Sequence, residues 1–131
     1  MISVAAIDHI VLRVRDAEVA VAFYRDVLGC PVERRNDTIG LIHLRAGTSL
    51  IDLVPLDGKL GSAGGAGPRE EGRNVDHVCL RLDPFVPSEV MGHLDAHGIA
   101  YELPANRYGA GGEGPSIYLR DPDGNGVELR G

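Results

Sequence analysis

The chain has 131 residues, 44% of them apolar, and a formal net charge of -6. A chain of that length forms one domain, buries roughly two-thirds of its unfolded surface and needs no disulfides. The acidic balance argues against a nucleic-acid partner. No stretch is long enough to span a membrane, and "MISVAAIDHI" lacks the basic start and apolar run of a signal peptide, so a cytoplasmic protein is expected.

The first strand is "IDHIVLRV", residues 7 to 14. Alternation puts Ile10, Leu12 and Val14 on one face and Ile7, His9, Val11 and Arg13 on the other. "DAEVAVAFYRDVLG" follows and reads as a helix. Asp16 caps it, Val19, Ala20, Phe23 and Val27 form its apolar stripe, and Gly29 ends it. "PVERR", "LIHLRAG" and "SLIDLVP" are short, alternating or apolar, and bounded by turn residues, which predicts three strands. Residues 57 to 74 hold six glycines and read as a flexible connection. A phosphate-cradling loop there would need a helix after it, and a strand follows.

A second strand, "VDHVCLRL" at 75 to 82, repeats the first at an offset of 68 residues. Val78, Leu80 and Leu82 share one face, His77 and Cys79 the other. "PSEVMGHLDAHG" predicts a helix with Val90, Met91 and Leu94 inward and Gly98 as its stop. "AYELPA", "SIYLR" and "GVELR" predict three more strands. "IHLR" (42 to 45) answers "IYLR" (117 to 120), and "IDL" (51 to 53) answers "VEL" (127 to 129). Matches in the same order indicate a duplicated β-α-β-β-β plan. Module 1 covers about 4–56, the connection 57–73, and module 2 about 74–131, within a single domain 1–131.

Duplication makes His9 the counterpart of His77, and Asp52 the counterpart of Glu128. Each carboxylate sits between apolar neighbours, where an unpaired charge is costly. If the two halves curl around one cavity, two imidazoles and two carboxylates form a divalent-metal site of nitrogen and oxygen donors. The competing reading is two hydrogen-bonded core histidines and two edge carboxylates.

"IDHIVLRVRD", "AFYRDVLGCPV", "LIDLVP", "VDHVCLRL" and above all "YLRDPDGNGVEL" resemble the vicinal oxygen chelate superfamily. That superfamily holds glyoxalase I, methylmalonyl-CoA epimerase, extradiol dioxygenases, and fosfomycin- and bleomycin-resistance proteins. The resemblance covers almost the whole chain. It implies an α+β fold in which two tandem βαβββ modules form an open, cup-shaped mixed β-barrel with helices outside. It also implies one divalent metal ion (zinc, nickel, manganese, iron or cobalt) held by His9, Asp52, His77 and Glu128. Glyoxalase-like members usually have Glu, and epimerase-like members Gln, where this chain has Asp52. A homodimer, a small-molecule substrate and no membrane partner are expected.

The resemblance implies a metal-dependent enzyme of glyoxalase or epimerase type. Such an enzyme moves a proton next to a carbonyl through a metal-stabilised enolate, with Glu128 or Asp52 as base. One alternative is an Fe(II) extradiol-type dioxygenase using His9, His77 and Glu128. The other is a non-catalytic drug-binding protein of the bleomycin-resistance type. His43 and Tyr118 are symmetry mates that either line the cavity or pack with a hydrogen bond. Cys79 reads as a small buried hydrophobe beside His77. "RYGAGGEGPS" (107 to 116) reads as a glycine-rich loop near the cavity mouth, with Arg107 and Tyr108 toward a substrate. His93 and His97 read as a solvated helix face.

Overall fold

Strict alternation gives "IDHIVLRV" two unlike faces. The computed structural model, which describes residues 1–131, forms it as β1 (His9–Val14). Leu12 and Val14 are buried, whereas His9 and Val11 are exposed. The two copies of the repeat fold as two compact units, Met1–Pro68 and Arg69–Gly131.

In the first unit, β1 leads into α1 (Ala17–Ala22). The Asp16 side chain accepts from the backbone N–H groups of Glu18 and Val19, which is the expected cap. The helix does not continue as an α-helix. Phe23–Val27 winds as a π-helix, with the Leu28 N–H donating to the Phe23 carbonyl over 3.2 Å. The buried side chains of this segment are Ala20, Val21, Phe23 and Tyr24. Val19, expected inward, is exposed, and Val27 is only half-buried. Gly29 ends the helix at φ 72°, a backbone conformation that favours glycine.

The strands β2 (Val32–Asn36), β3 (Leu41–Ala46) and β4 (Ser49–Pro55) complete a four-stranded mixed sheet in the order β1-β4-β3-β2. Only the β1–β4 pairing is parallel. Leu12, Leu44, Ile51 and Leu53 pack its core face with the helix. Each such side chain contributes about 1.5–3 kcal/mol by leaving water.

The connection after β4 is more ordered than its glycines suggest. It forms a short helix, α2 (Lys59–Ser62), and the Arg13 guanidinium donates to the carbonyls of Gly61, Gly64, Gly65 and Ala66. A side chain at Gly61 would collide with the Pro55 carbonyl. The expectation of a flexible connection is therefore corrected for residues 59–66. Composition reports what the chain could do when free, and the Arg13 clamp removes that freedom.

The second unit repeats the plan: β5 (His77–Arg81), α3 (Pro87–Ala96), β6 (Ala105–Gly109), β7 (Gly112–Arg120) and β8 (Gly126–Arg130). The sheet order is β5-β8-β7-β6, again with one parallel pairing, β5 to β8. Leu94 is the fully buried residue of α3, with Val90 and Met91 half-buried. Two expectations are corrected here. "AYELPA" is not a strand: Tyr101 makes a single bridge to Leu119, and β6 starts at Ala105. Nor is 107 to 116 a loop, because Arg107 pairs with Gly114 and Gly109 with Gly112 in a tight β6–β7 hairpin. Ladder hydrogen bonds and the neighbouring strand override the weak strand propensity of glycine.

Candidate functional site

In each sheet the register sets a carboxylate on the central strand opposite a polar residue on the next. His43 pairs with Asp52 in the first sheet, and Tyr118 pairs with Glu128 in the second. On the parallel side, Val11 pairs with Asp52 and Cys79 with Glu128. Each histidine of the repeat therefore lies two residues along its strand from the carboxylate's partner, on the same face.

The first unit gathers His9, His43 and Asp52 at one cavity of about 690 Å³, whose apolar lining includes Val11, Leu50 and Val54. Asp52 is 3% exposed. A carboxylate only accepts, so Nδ1 of His43 donates to Oδ1 of Asp52, over 2.7 Å. His9 donates from Nδ1 to Oδ1 of Asp8 over 2.6 Å. That hydrogen bond is the main reason the His9 imidazole lies above its ordinary 6.5; desolvation opposes it, and the Asp52 charge adds to it.

The second unit gathers His77, Tyr118 and Glu128 into one cluster. The Tyr118 hydroxyl donates to Oε2 of Glu128 over 3.1 Å and lies 3.2 Å from Nε2 of His77. Nε2 of His77 is 3.3 Å from the same carboxylate oxygen. Nδ1 of His77 is held by Asp76 at 2.7 Å. Glu128 is 5% exposed, and its Oε1 is buried without a hydrogen-bond partner. Burial pushes the Glu128 carboxyl up, but the nearby Ser116 and Tyr118 hydroxyls, the Cys79 thiol and the His77 charge outweigh it. The carboxyl is left below its ordinary 4.5. Ser116 and Cys79 act from close by, since neither meets hydrogen-bond geometry at Oε1. Gly126 lies opposite His77, and a Cβ there would come within 2.9 Å of the His77 Cβ. A cavity of about 730 Å³ opens beside His77 and Tyr118.

The donor chemistry suits a divalent ion. The first unit offers two imidazoles, His9 and His43, and the second one, His77, each beside a buried carboxylate on the same sheet face, and the orphaned Oε1 of Glu128 lacks the partner that a buried anion needs. Within neither unit do three His, Cys, Asp or Glu side chains gather closely enough to hold an ion. Asp52 already has His43 on one of its oxygens. Sequence reasoning missed Asp8 and Asp76, which hold Nδ1 of the two repeated histidines and so fix ring orientation. The signal was present, because "DH" occurs in both copies of the strand.

The remaining candidates fall out unequally. Arg107 stacks over the Tyr118 ring at 4.4 Å and donates to the Ser116 carbonyl and hydroxyl. Tyr108 is exposed, and alternation puts it on the opposite face of β6 from Arg107, so it does not point toward the cluster. Cys79 is exposed rather than buried. Even so, partial desolvation of its thiol and the adjacent Glu128 charge push that thiol up to about 11, leaving it a poor nucleophile. His97 bonds the His93 carbonyl through Nδ1, with the two rings 4.4 Å apart on the exposed helix face.

Residues 6–129 match the family model described as Glyoxalase/Bleomycin resistance protein/Dioxygenase superfamily. The chain is 33% identical over 125 residues to Virulence protein STM3117 of Salmonella typhimurium, covering 94% of this chain and 81% of that protein. The crystal structure of that Salmonella protein superposes with a TM-score of 0.82 at 28% identity, covering 98% of both chains. Lactoylglutathione lyase from Agrobacterium tumefaciens superposes with a TM-score of 0.72 at 27% identity, covering 98% of this chain and 96% of that one. With the family model spanning nearly all of it and both units built as βαβββ modules, the chain belongs to the Glyoxalase/Bleomycin resistance protein/Dioxygenase superfamily, the vicinal oxygen chelate proteins.

Proposed function

We propose that the protein is a divalent-metal-dependent enzyme of glyoxalase or epimerase type that moves a proton next to a carbonyl on a small oxygenated substrate. The ligands assigned in this reading are the two histidine–carboxylate pairs of the repeat, His9 with Asp52 and His77 with Glu128. The observation that carries this reading is the buried Glu128 carboxylate, whose Oε1 has no partner while Oε2 is within reach of both His77 and Tyr118. A bound divalent ion supplies Lewis acidity toward neighbouring substrate oxygens.

The chain's own residues divide the remaining work. Asp8 and Asp76 hold Nδ1 of His9 and His77, which leaves each Nε2 as the donor atom. Glu128 stays ionised at neutral pH and can accept a proton from the carbon beside a carbonyl. The Tyr118 hydroxyl, already directed at Oε2, steadies that charge.

The test is elemental analysis of the purified protein together with solvent deuterium wash-in, followed by proton NMR, over a panel of 2-oxo and 2-hydroxy acids and acyl thioesters. About one equivalent of a divalent ion is expected, with wash-in lost in Glu128→Gln. Metal-free protein that takes up no zinc, nickel, manganese, cobalt or iron at micromolar concentration overturns the reading.

A second reading is favoured by the His43 hydrogen bond, which occupies one oxygen of Asp52. Without Asp52, the set His9, His77 and Glu128 is two histidines and a carboxylate, a ligand set suited to Fe(II) and oxygen chemistry. Oxygen uptake with catechols in the presence of Fe(II) would select this reading over the first.

A further inference from the structure

The two faces of the second sheet differ sharply in charge. One face carries Val78, Leu80, Ile117, Leu119, Val127 and Leu129. Alternation puts His77, Tyr118 and Glu128 on the other, together with Arg81, Arg107, Arg120 and Arg130. Glu128 is the one carboxylate that the four strands place on that face. A face with four guanidinium groups and one carboxylate attracts anions.

At the edge of this face lies the cavity of about 730 Å³, a volume that suits a small-molecule ligand. Its lining includes His77, Tyr118, Arg73 and Arg120. Nη1 of Arg73 and Nη1 of Arg120 both donate to the Gly124 carbonyl, over 3.1 and 2.9 Å. The shared acceptor holds two like charges close together and fixes their planes. Two carboxylates also line the cavity: Asp76, which holds Nδ1 of His77 and whose charge also interacts with Arg73 and Arg120, and Glu102, 3.8 Å from Arg107; two guanidinium charges against the one nearby Asp76 leave the pair net positive. The turn between β7 and β8 supplies the Gly124 carbonyl that gathers the pair. Its Asp121 carboxylate accepts from the backbone N–H groups of Asp123 and Asn125, so the platform is itself braced.

We propose that Arg73 and Arg120 form a subsite for an anionic group of the ligand, a phosphate or a carboxylate, beside His77 and Tyr118. This assignment rests on the reading of the His77–Glu128 cluster as part of the reaction site, and it narrows the substrate class to oxygenated molecules that carry such a group. Guanidinium forks match both anions in a two-pronged geometry, whereas an ammonium would offer only a point charge.

The test is a titration of metal-free, isotope-labelled protein with inorganic phosphate and, separately, with malonate at constant ionic strength, read by backbone amide shifts. Saturable shifts are expected at Arg73, Gly98–Glu102 and Arg120. Arg73→Met and Arg120→Met should each weaken binding about tenfold, and Arg120→Lys should fall between them and the wild type. Arg73 lies outside the sheet, so its variant reports even if Arg120→Met folds poorly. Saturation by phosphate alone, malonate alone or both assigns the class of anion. No saturable shift with either, or affinity unchanged in Arg73→Met, overturns the subsite. Zinc, nickel, manganese, cobalt or iron uptake, measured on the same preparation after the ion is added back, separates the two readings: a protein that takes up metal but no anion refutes the subsite alone, and one that binds the anion but never metal refutes the metal reading alone.

Discussion

Asp52 and His43 face each other across β4 and β3, and Nδ1 of His43 donates to a carboxylate that is 3% exposed. A buried charge of this kind needs a partner, and here a neighbouring strand supplies it. Removing the partner by His43→Ala leaves the carboxylate unsatisfied, at a cost of about 1–3 kcal/mol. Urea denaturation should show that loss, and adding Asp52→Asn should recover part of it. Unchanged stability in His43→Ala would mean that water or an ion already satisfies Asp52.

Gly126 stands opposite His77, and a methyl group there would lie 2.7 Å from the Asp76 carbonyl and 2.9 Å from the His77 Cβ. Backbone cannot yield cheaply to that contact, so Gly126→Ala should cost about 1–3 kcal/mol. Under the proposed metal reading it should also lower metal affinity by displacing His77. Thermal melts and metal titration test the two effects separately.

The imidazole of His9 should titrate above 6.5 in the metal-free protein, because the Asp8 hydrogen bond favours its protonated form. The sign follows directly. A raised folded-state value means that this contact stabilises the fold fully below the unfolded value of about 6.5, and that the contribution is lost as pH rises through the higher folded value. Asp8→Asn should move the NMR titration midpoint of His9 down toward 6.5. A midpoint that does not move assigns the shift to another group.

Glu128 behaves in the opposite sense. Its carboxyl lies below 4.5, so its contribution to stability is present above that value and lost as pH falls through the lowered one. Tyr118→Phe removes the hydroxyl that donates to Oε2 and should raise the carbon-NMR midpoint of Glu128. Under the proposed function the same variant should reduce proton transfer more than it reduces metal content.

Cys79 offers a chemical readout of the same carboxylate. With its thiol pushed up to about 11 from an ordinary 9.0, alkylation by iodoacetamide at pH 8 should run roughly a hundredfold slower than for an unperturbed thiol. Cys30 is 4% exposed and will not mask the signal. Glu128→Gln should accelerate the reaction.

Much of this was legible in the sequence because duplication is a strong signal. The matched strands around His9 and His77, the Asp16 cap and the two-residue alternation that isolates Asp52 and Glu128 all reappear in the fold. What was missed has physical causes. The apolar run "VAVAFY" fits more than one helical stripe, and packing selects Ala20, Val21 and Tyr24 and leaves Val19 outside; the π turn at Phe23–Val27 itself has no signature at period 3.6. The glycines of 107 to 116 hid a hairpin whose strands are set by tertiary pairing. The Arg13 clamp joins β1 to residues about fifty positions away, beyond any local pattern. Asp8 and Asp76 adjoin the histidines in sequence, but which side chain meets Nδ1 depends on rotamers that strand alternation does not fix.

Gly126 has one more implication, seen against its counterpart. Opposite His9 the parallel strand carries Leu50; opposite His77 it carries Gly126. The two copies have kept their histidines and carboxylates in matching register while diverging in the floor beneath them. One imidazole stands against a greasy wall, the other over bare backbone. The halves therefore differ in the neighbours of their histidines, and only Leu50→Gly could make the two alike, because the space at Gly126 admits no side chain.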